Sequence, residues 1–90
     1  MLLMFYGKEC PHCERMEPLV AKLEREEGIT VERSEAWHDD ANAKKLEELD
    51  QGLCGGVPFF YNTETKESLC GEVPYEEVQV WALGAASPKK

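Results

Sequence analysis

Two cysteines separated by two residues, Cys10-Pro11-His12-Cys13, stand just after an apolar run and at the head of an amphipathic segment. That placement makes them a strand-to-helix junction. The run Met1-Leu2-Leu3-Met4-Phe5-Tyr6 ends at Gly7, the pattern of a strand covered on both faces inside a partly parallel sheet, and it is expected to be central. From Cys10 onward, Cys13, Met16, Leu19 or Val20, and Leu23 recur every three or four positions, with Glu14, Glu17, Lys22, Glu24 and Arg25 between them. A helix with one apolar face is expected, ending near Gly28. Pro11 suits its first turn, where a missing N–H breaks no bond, whereas Pro18 lies mid-helix and is expected to kink it.

Downstream, Ile29 to Ser34 alternates as a strand with Ile29 and Val31 on one face. Asp39 or Asp40 can cap a second helix whose stripe is Ala43, Leu46 and Leu49, closed by Gly52. After Gly55-Gly56, Val57 to Tyr61 and Lys66 to Cys70 read as a hairpin across Asn62-Thr63-Glu64-Thr65. Pro58 is tolerable at a strand's start. Pro74 opens a last helix with Glu76 and Glu77 in its positively polarised first turn and Tyr75, Val78, Trp81 and Ala82 inward. The order is β-α-β-α-β-β-α, an α/β class in which a right-handed parallel unit is extended by antiparallel strands, with helices on both faces. Residues 1–84 are expected to form one domain and residues 85–90 a flexible tail.

Ninety residues, 42% of them hydrophobic, supply one compact core and exclude a multi-domain enzyme. The net charge of −8 opposes phosphate backbones and anionic membrane surfaces, so neither nucleic acid nor membrane is an expected partner. No apolar run approaches the roughly 20 residues that cross a bilayer. The N-terminus has no positive segment, apolar stretch and cleavage site in sequence, so a reducing, cytoplasmic setting is expected, with redox or metal roles for Cys10, Cys13, Cys54 and Cys70.

At a helix N-terminus the first sulfur of Cys-x-x-Cys meets unpaired backbone N–H groups and the positive end of the helix dipole, which favour its thiolate form. Cys10 is therefore the expected nucleophile in disulfide exchange, and Cys13, one turn in and expected to be more buried, the resolving thiol. Pro11 and His12 tune the pair. His12 can add a charge or hydrogen bond that stabilises the Cys10 thiolate, and Lys8 acts in the same direction against Glu9 and Glu14. The rival reading is half a zinc site, but Cys54 and Cys70 have 15 residues between them rather than standing as a second short-spaced pair.

Over nearly its whole length the chain resembles the thioredoxin family. The resemblance rests on Cys10-Pro11-His12-Cys13 followed at the family's spacing by Pro18, and on Val57-Pro58, which is similar to the family's cis-proline loop. It implies the thioredoxin fold around a mixed four-stranded sheet and assigns Val57 the backbone that pairs with substrate. It also matches Gly71 to a family glycine beside the active site, which puts Cys70 near the substrate groove. The chain lacks the family's extra N-terminal strand and helix, leaving a glutaredoxin-sized core. Met4 stands where the family has a buried aspartate, leaving open whether Glu35 or another carboxylate takes its proton-transfer role, and Glu9 replaces a tryptophan. Pro18, and the absence of a Gly-Gly pair after the hairpin, weaken a glutathione site. Cys-Pro-His-Cys is the variant of bacterial periplasmic disulfide oxidases, and a redox poise between theirs and thioredoxin's, nearer thioredoxin's, is expected.

Cys54 reads as a small buried hydrophobe, with pairing to Cys70 or capture of an intermediate as the functional option. Trp37 reads as packed at a rim, His38 as solvated, and Trp81, Phe59, Phe60 and Tyr61 as core. The leading reading is a monomeric thiol-disulfide oxidoreductase that needs no cofactor or metal, acting on disulfide-containing proteins or small disulfides and re-reduced by a thioredoxin reductase. The alternatives are a glutathione-dependent reductase with the same site, and a zinc-binding or non-catalytic scaffold using the four cysteines.

Overall fold

The N-terminal apolar run is an inner strand because it has hydrogen-bonded neighbours on both sides. In the computed structural model, which describes residues 1–84, β1 (Leu2–Tyr6) pairs in parallel with β2 (Val31–Glu35) and antiparallel with β3 (Phe59–Asn62). β4 (Ser68–Cys70) pairs antiparallel with β3, giving a mixed four-stranded sheet in the order β2-β1-β3-β4. The tail expected at residues 85–90 lies outside the described residues.

Alternation along β1 sends its side chains to two apolar layers. Leu2 and Met4 pack with Met16, Val20 and Leu23 of α1 (Pro11–Glu27) and with Val78 and Trp81 of α3 (Tyr75–Leu83). Leu3 and Phe5 pack on the other face with Phe59 and with Leu46 and Leu49 of α2 (Asp40–Asp50). The helices thus cover both faces. Phe60 and Trp81 meet edge to face at 5.5 Å, and the Trp81 indole N–H donates to the Glu67 carbonyl. Buried Asn62 donates its side-chain amide to the Trp81 carbonyl and accepts the N–H groups of Glu64 and Thr65, fastening the hairpin turn to α3.

Local chemistry sets the ends of the elements. Gly28 takes the left-handed conformation (φ 65°) that closes α1, and the Glu24 carboxylate then accepts the Val31 N–H. β2 consequently starts at Val31, two residues later than the pattern predicts. Arg33 ties it to α1 through Glu17 and Glu24, at 2.6 Å each. Asp39 caps α2 by accepting the Asn42 N–H. α2 ends one residue earlier than expected, with Gln51 rather than Gly52 in the left-handed cap, and its stripe of Ala43, Leu46 and Leu49 is only half-buried. Pro58 has no N–H for the ladder, and β3 begins at Phe59. Pro18 lies inside α1, which continues through it. Among the described residues no helix is long and apolar enough to cross a membrane.

Candidate functional site

The end of β1 and the start of α1 bring both cysteines of the short-spaced pair to one place. Cys10 is the N-cap of α1, in extended conformation, and its Sγ accepts the Cys13 N–H at 3.1 Å. Pro11 occupies the first turn, as its missing N–H suits. The N–H of Cys10 donates to the Gly7 carbonyl, which closes the turn between strand and helix. Both cysteines are free thiols.

Cys13 is not the more buried of the two: Cys10 is 2% exposed and Cys13 4%. The cover over Cys10 comes from the segment before β3, where Val57 packs against the same apolar layer and its carbonyl oxygen stands 3.9 Å from the Cys10 Sγ. What marks Cys13 out is how firmly it holds its proton. Burial, followed by its hydrogen bond with Cys10, pushes the Cys13 thiol up to about 12, so Cys13 keeps its proton, while the Cys10 sulfur accepts the Cys13 N–H and lies against the Val57 carbonyl. A cavity of about 170 Å³ adjoins Cys13, lined in part by Met4, Lys8, Glu14 and Glu17.

The Val57-Pro58 peptide bond is cis. The Pro58 carbonyl accepts the Gly71 N–H at 2.9 Å, and Gly71 has a φ of 80° that suits glycine. Val57, Pro58 and Gly71 therefore form one patch, with Val57 against Cys10. Cys70, just before Gly71, is opposite Phe59 in the ladder.

Several expectations need correction. Cys54 is not a simple buried hydrophobe: it forms a disulfide with Cys70, with Cα atoms 5.6 Å apart. The half-buried sulfur leans on the apolar layer of Leu3, Phe5 and Phe59, and the turn after α2 carries it within bonding reach of β4. This removes two of the thiols that a four-cysteine zinc site requires. His12 does not serve Cys10 by hydrogen bonding: its Nδ1 contacts the Glu72 carboxylate and Arg15. Lys8 is exposed and bonds through its backbone N–H to Glu35, while its side chain borders the cavity at Cys13. Met4 is buried in the inner layer, and Glu35, at the end of β2, accepts the N–H groups of Lys8, Trp37 and His38. Partial burial opposes its ionisation, but the N–H groups of His38 and Lys8 hold its carboxyl below the usual range.

Trp37 is 52% exposed but lies so close over Gly7 that a Cβ there would clash with the indole ring. That contact explains the glycine. His38 is paired with Glu9 at 2.7 Å, which raises its pKa above the ordinary histidine value.

Glu72 and Arg15 beside the redox pair, and Asp50 at the Cys54 loop, escaped the sequence reading. Glu72 binds both Arg15, at 2.9 Å, and His12; the Arg15 bond first and the His12 bond second lower its carboxyl to about 2. Its position directly after Gly71 was the available signal. Asp50 is buried and accepts the N–H groups of Cys54 and Gly55, at 2.6 and 2.8 Å. An aspartate before a glycine-rich loop is a known device for holding such a turn.

No protein-family model matches the chain, and no curated protein matches it.

Proposed function

We propose that this chain is a thioredoxin-type thiol-disulfide oxidoreductase with a compact thioredoxin fold. The observation that carries this reading is the Cys10 sulfur at the N-cap of α1, accepting the Cys13 N–H and facing the Val57 carbonyl beside Pro58. Helix-end N–H groups favour a thiolate at that position. The high-lying thiol of Cys13 supports a division of labour in which Cys10 attacks and Cys13 holds its proton until resolution.

The Cys10 thiolate attacks one sulfur of a substrate disulfide, and the other sulfur leaves as a thiolate and is protonated. Cys13 then loses its proton and attacks the Cys10 Sγ. The Cys10–Cys13 disulfide closes and the second substrate sulfur departs as thiolate. Two electrons have passed from the dithiol to the substrate, and no prosthetic group is involved. Val57 supplies the backbone edge on which the substrate chain docks, with Pro58 and Gly71 shaping it. The substrates are protein disulfides or small disulfides, met by a monomer in the cytoplasm, with a thioredoxin reductase or glutathione restoring the dithiol.

The test is reduction of a protein disulfide by the native chain, Cys10→Ser and Cys13→Ser, driven in parallel by thioredoxin reductase and by glutathione. The native chain should turn over, Cys10→Ser should not, and Cys13→Ser should accumulate a substrate adduct. Equal rates in all three proteins contradict the mechanism. The reductant that sustains turnover identifies the electron donor.

A further inference from the structure

The mechanism leaves one reactive group unused. The Cys54–Cys70 bond joins the loop after α2 to β4, an edge strand of the sheet. Cys54 packs into the layer that faces α2, whereas Cys10 and Cys13 belong to the layer that faces α1 and α3. The sheet stands between the two pairs, so any thiol that opens the second bond arrives from solvent. Cys70 is exposed and Cys54 half-buried, which makes Cys70 the sulfur open to attack. A cavity of about 390 Å³, large enough for a small ligand, opens beside the same loop, lined by Leu46, Glu47, Asp50, Gly52, Gly55 and Gly56.

The loop before Val57 is held in two ways. At its root, the Asp50 carboxylate accepts the N–H groups of Cys54 and Gly55; on its far side, the disulfide pins Cys54 to β4. Glycines at 52, 55 and 56 supply no side chains to pack, and such segments have much conformational entropy to regain when a tie is cut. Val57 is three residues beyond Cys54.

We infer that Cys54–Cys70 is a second thiol-exchange site, taking a small soluble thiol at Cys70, and that its state sets how firmly the segment leading to Val57 is held. A thiolate attacks the Cys70 Sγ, the S–S bond breaks, and Cys54 leaves as a thiolate that takes up a proton. A second thiolate attacks the mixed disulfide at the small-thiol sulfur, releasing a small disulfide and the Cys70 thiol. Two small thiols are oxidised and one protein disulfide is reduced. Glu47 and Asp50 at the neighbouring cavity, in a chain of net charge −8, favour a cationic thiol over an anionic one. The consequence for docking rests on the oxidoreductase reading; the exchange itself does not.

The exchange is tested in Cys10→Ser/Cys13→Ser, where only the second pair can react, by alkylating and weighing the protein after treatment with cysteamine, 2-mercaptoethanol or mercaptoacetate at equal thiolate concentration. Reduction in the folded state, fastest with cysteamine and slowest with mercaptoacetate by about threefold or more overall, is expected. In Cys10→Ser/Cys13→Ser/Cys54→Ser, the Cys70 thiolate should attack the small disulfide cystamine, releasing one cysteamine and carrying the other as a mixed disulfide on Cys70. The structural consequence is read by amide hydrogen exchange: on reduction Cys54, Gly55, Gly56 and Val57 should exchange about tenfold faster, and Val20 in α1 should not change. In Cys54→Ser/Cys70→Ser, and equally in Cys54→Ala/Cys70→Ala, KM for a peptide disulfide should rise about threefold with kcat unchanged. A bond that yields only after denaturation, or that opens with no change in exchange at 54–57, overturns the inference. Absence of turnover in the native chain defeats the oxidoreductase reading but leaves the alkylation and hydrogen-exchange results to decide the second site.

Discussion

The two cysteine pairs sit on opposite faces of one sheet and are built on different principles. Cys10 and Cys13 are three positions apart, buried, unbonded and organised by a helix terminus. Cys54 and Cys70 are 16 positions apart, half-buried and exposed respectively, bonded to each other, and organised by a loop and an edge strand. In the first pair a backbone N–H bonds to the sulfur; in the second the sulfur bridge ties two stretches of backbone together. Where a cysteine sits relative to backbone N–H groups and to solvent decides which of these it does.

The largest expected difference between the pairs is in turnover. Cys10→Ser should lower disulfide reduction by at least about a hundredfold, whereas Cys70→Ser should leave kcat within about threefold; a common loss in both variants would erase the distinction. Next come the supports of each region, measured by urea unfolding. Phe60, buried against Trp81 on the face of Cys10, should cost about 3–5 kcal/mol as Phe60→Ala, while Leu53, 83% exposed in the loop before Cys54, should change stability by no more than about 0.5 kcal/mol as Leu53→Ala.

Asp50→Ala leaves the N–H groups of Cys54 and Gly55 without their acceptor and should cost about 1–3 kcal/mol. The cost should differ between the oxidised and reduced Cys54–Cys70 states, because the carboxylate and the disulfide hold the same loop; equal costs would show that the two ties act independently.

The smallest effects are in pH dependence. Glu72, held at about 2 by Arg15 and then His12, contributes stability that is present above its unfolded range near pH 4.5 and lost as pH falls toward 2. NMR of its carboxyl carbon should place the titration there, and Arg15→Ala should move it upward. His38 has the opposite sign: its pKa is raised by Glu9, so its contribution is complete below about pH 6.5 and lost as pH rises through its folded value. In Glu9→Gln the imidazole should titrate lower.

The α/β class and the mixed sheet with helices on both faces were legible because they follow from short-range patterns. Met1 to Tyr6 reads as a buried strand and Cys13, Met16, Val20 and Leu23 as a helix face without knowledge of any distant contact. The junction at Cys10 is equally local. The Cys54–Cys70 bond was not legible, since 16 residues of separation leave pairing to the path of the loop and the register of β4 on β3. The same limit misplaced His12, whose partner Glu72 is 60 positions away. Cys13's greater burial was expected from helix position alone, and the cover that Val57 provides over Cys10 comes from 47 positions further along. Trp37 over Gly7 belongs to this group as well: the glycine ends a strand in the sequence pattern, while its need for a bare Cα comes from a side chain 30 positions on.

The most direct measurement of the central claim is to trap the reaction halfway. Cys13→Ser, incubated with a peptide disulfide under non-reducing conditions and digested, should yield one dominant adduct in which the peptide is joined to Cys10. An adduct on Cys54 or Cys70 in place of Cys10, or no adduct while the folded chain still reduces the peptide, would contradict the assignment of Cys10 as the attacking sulfur.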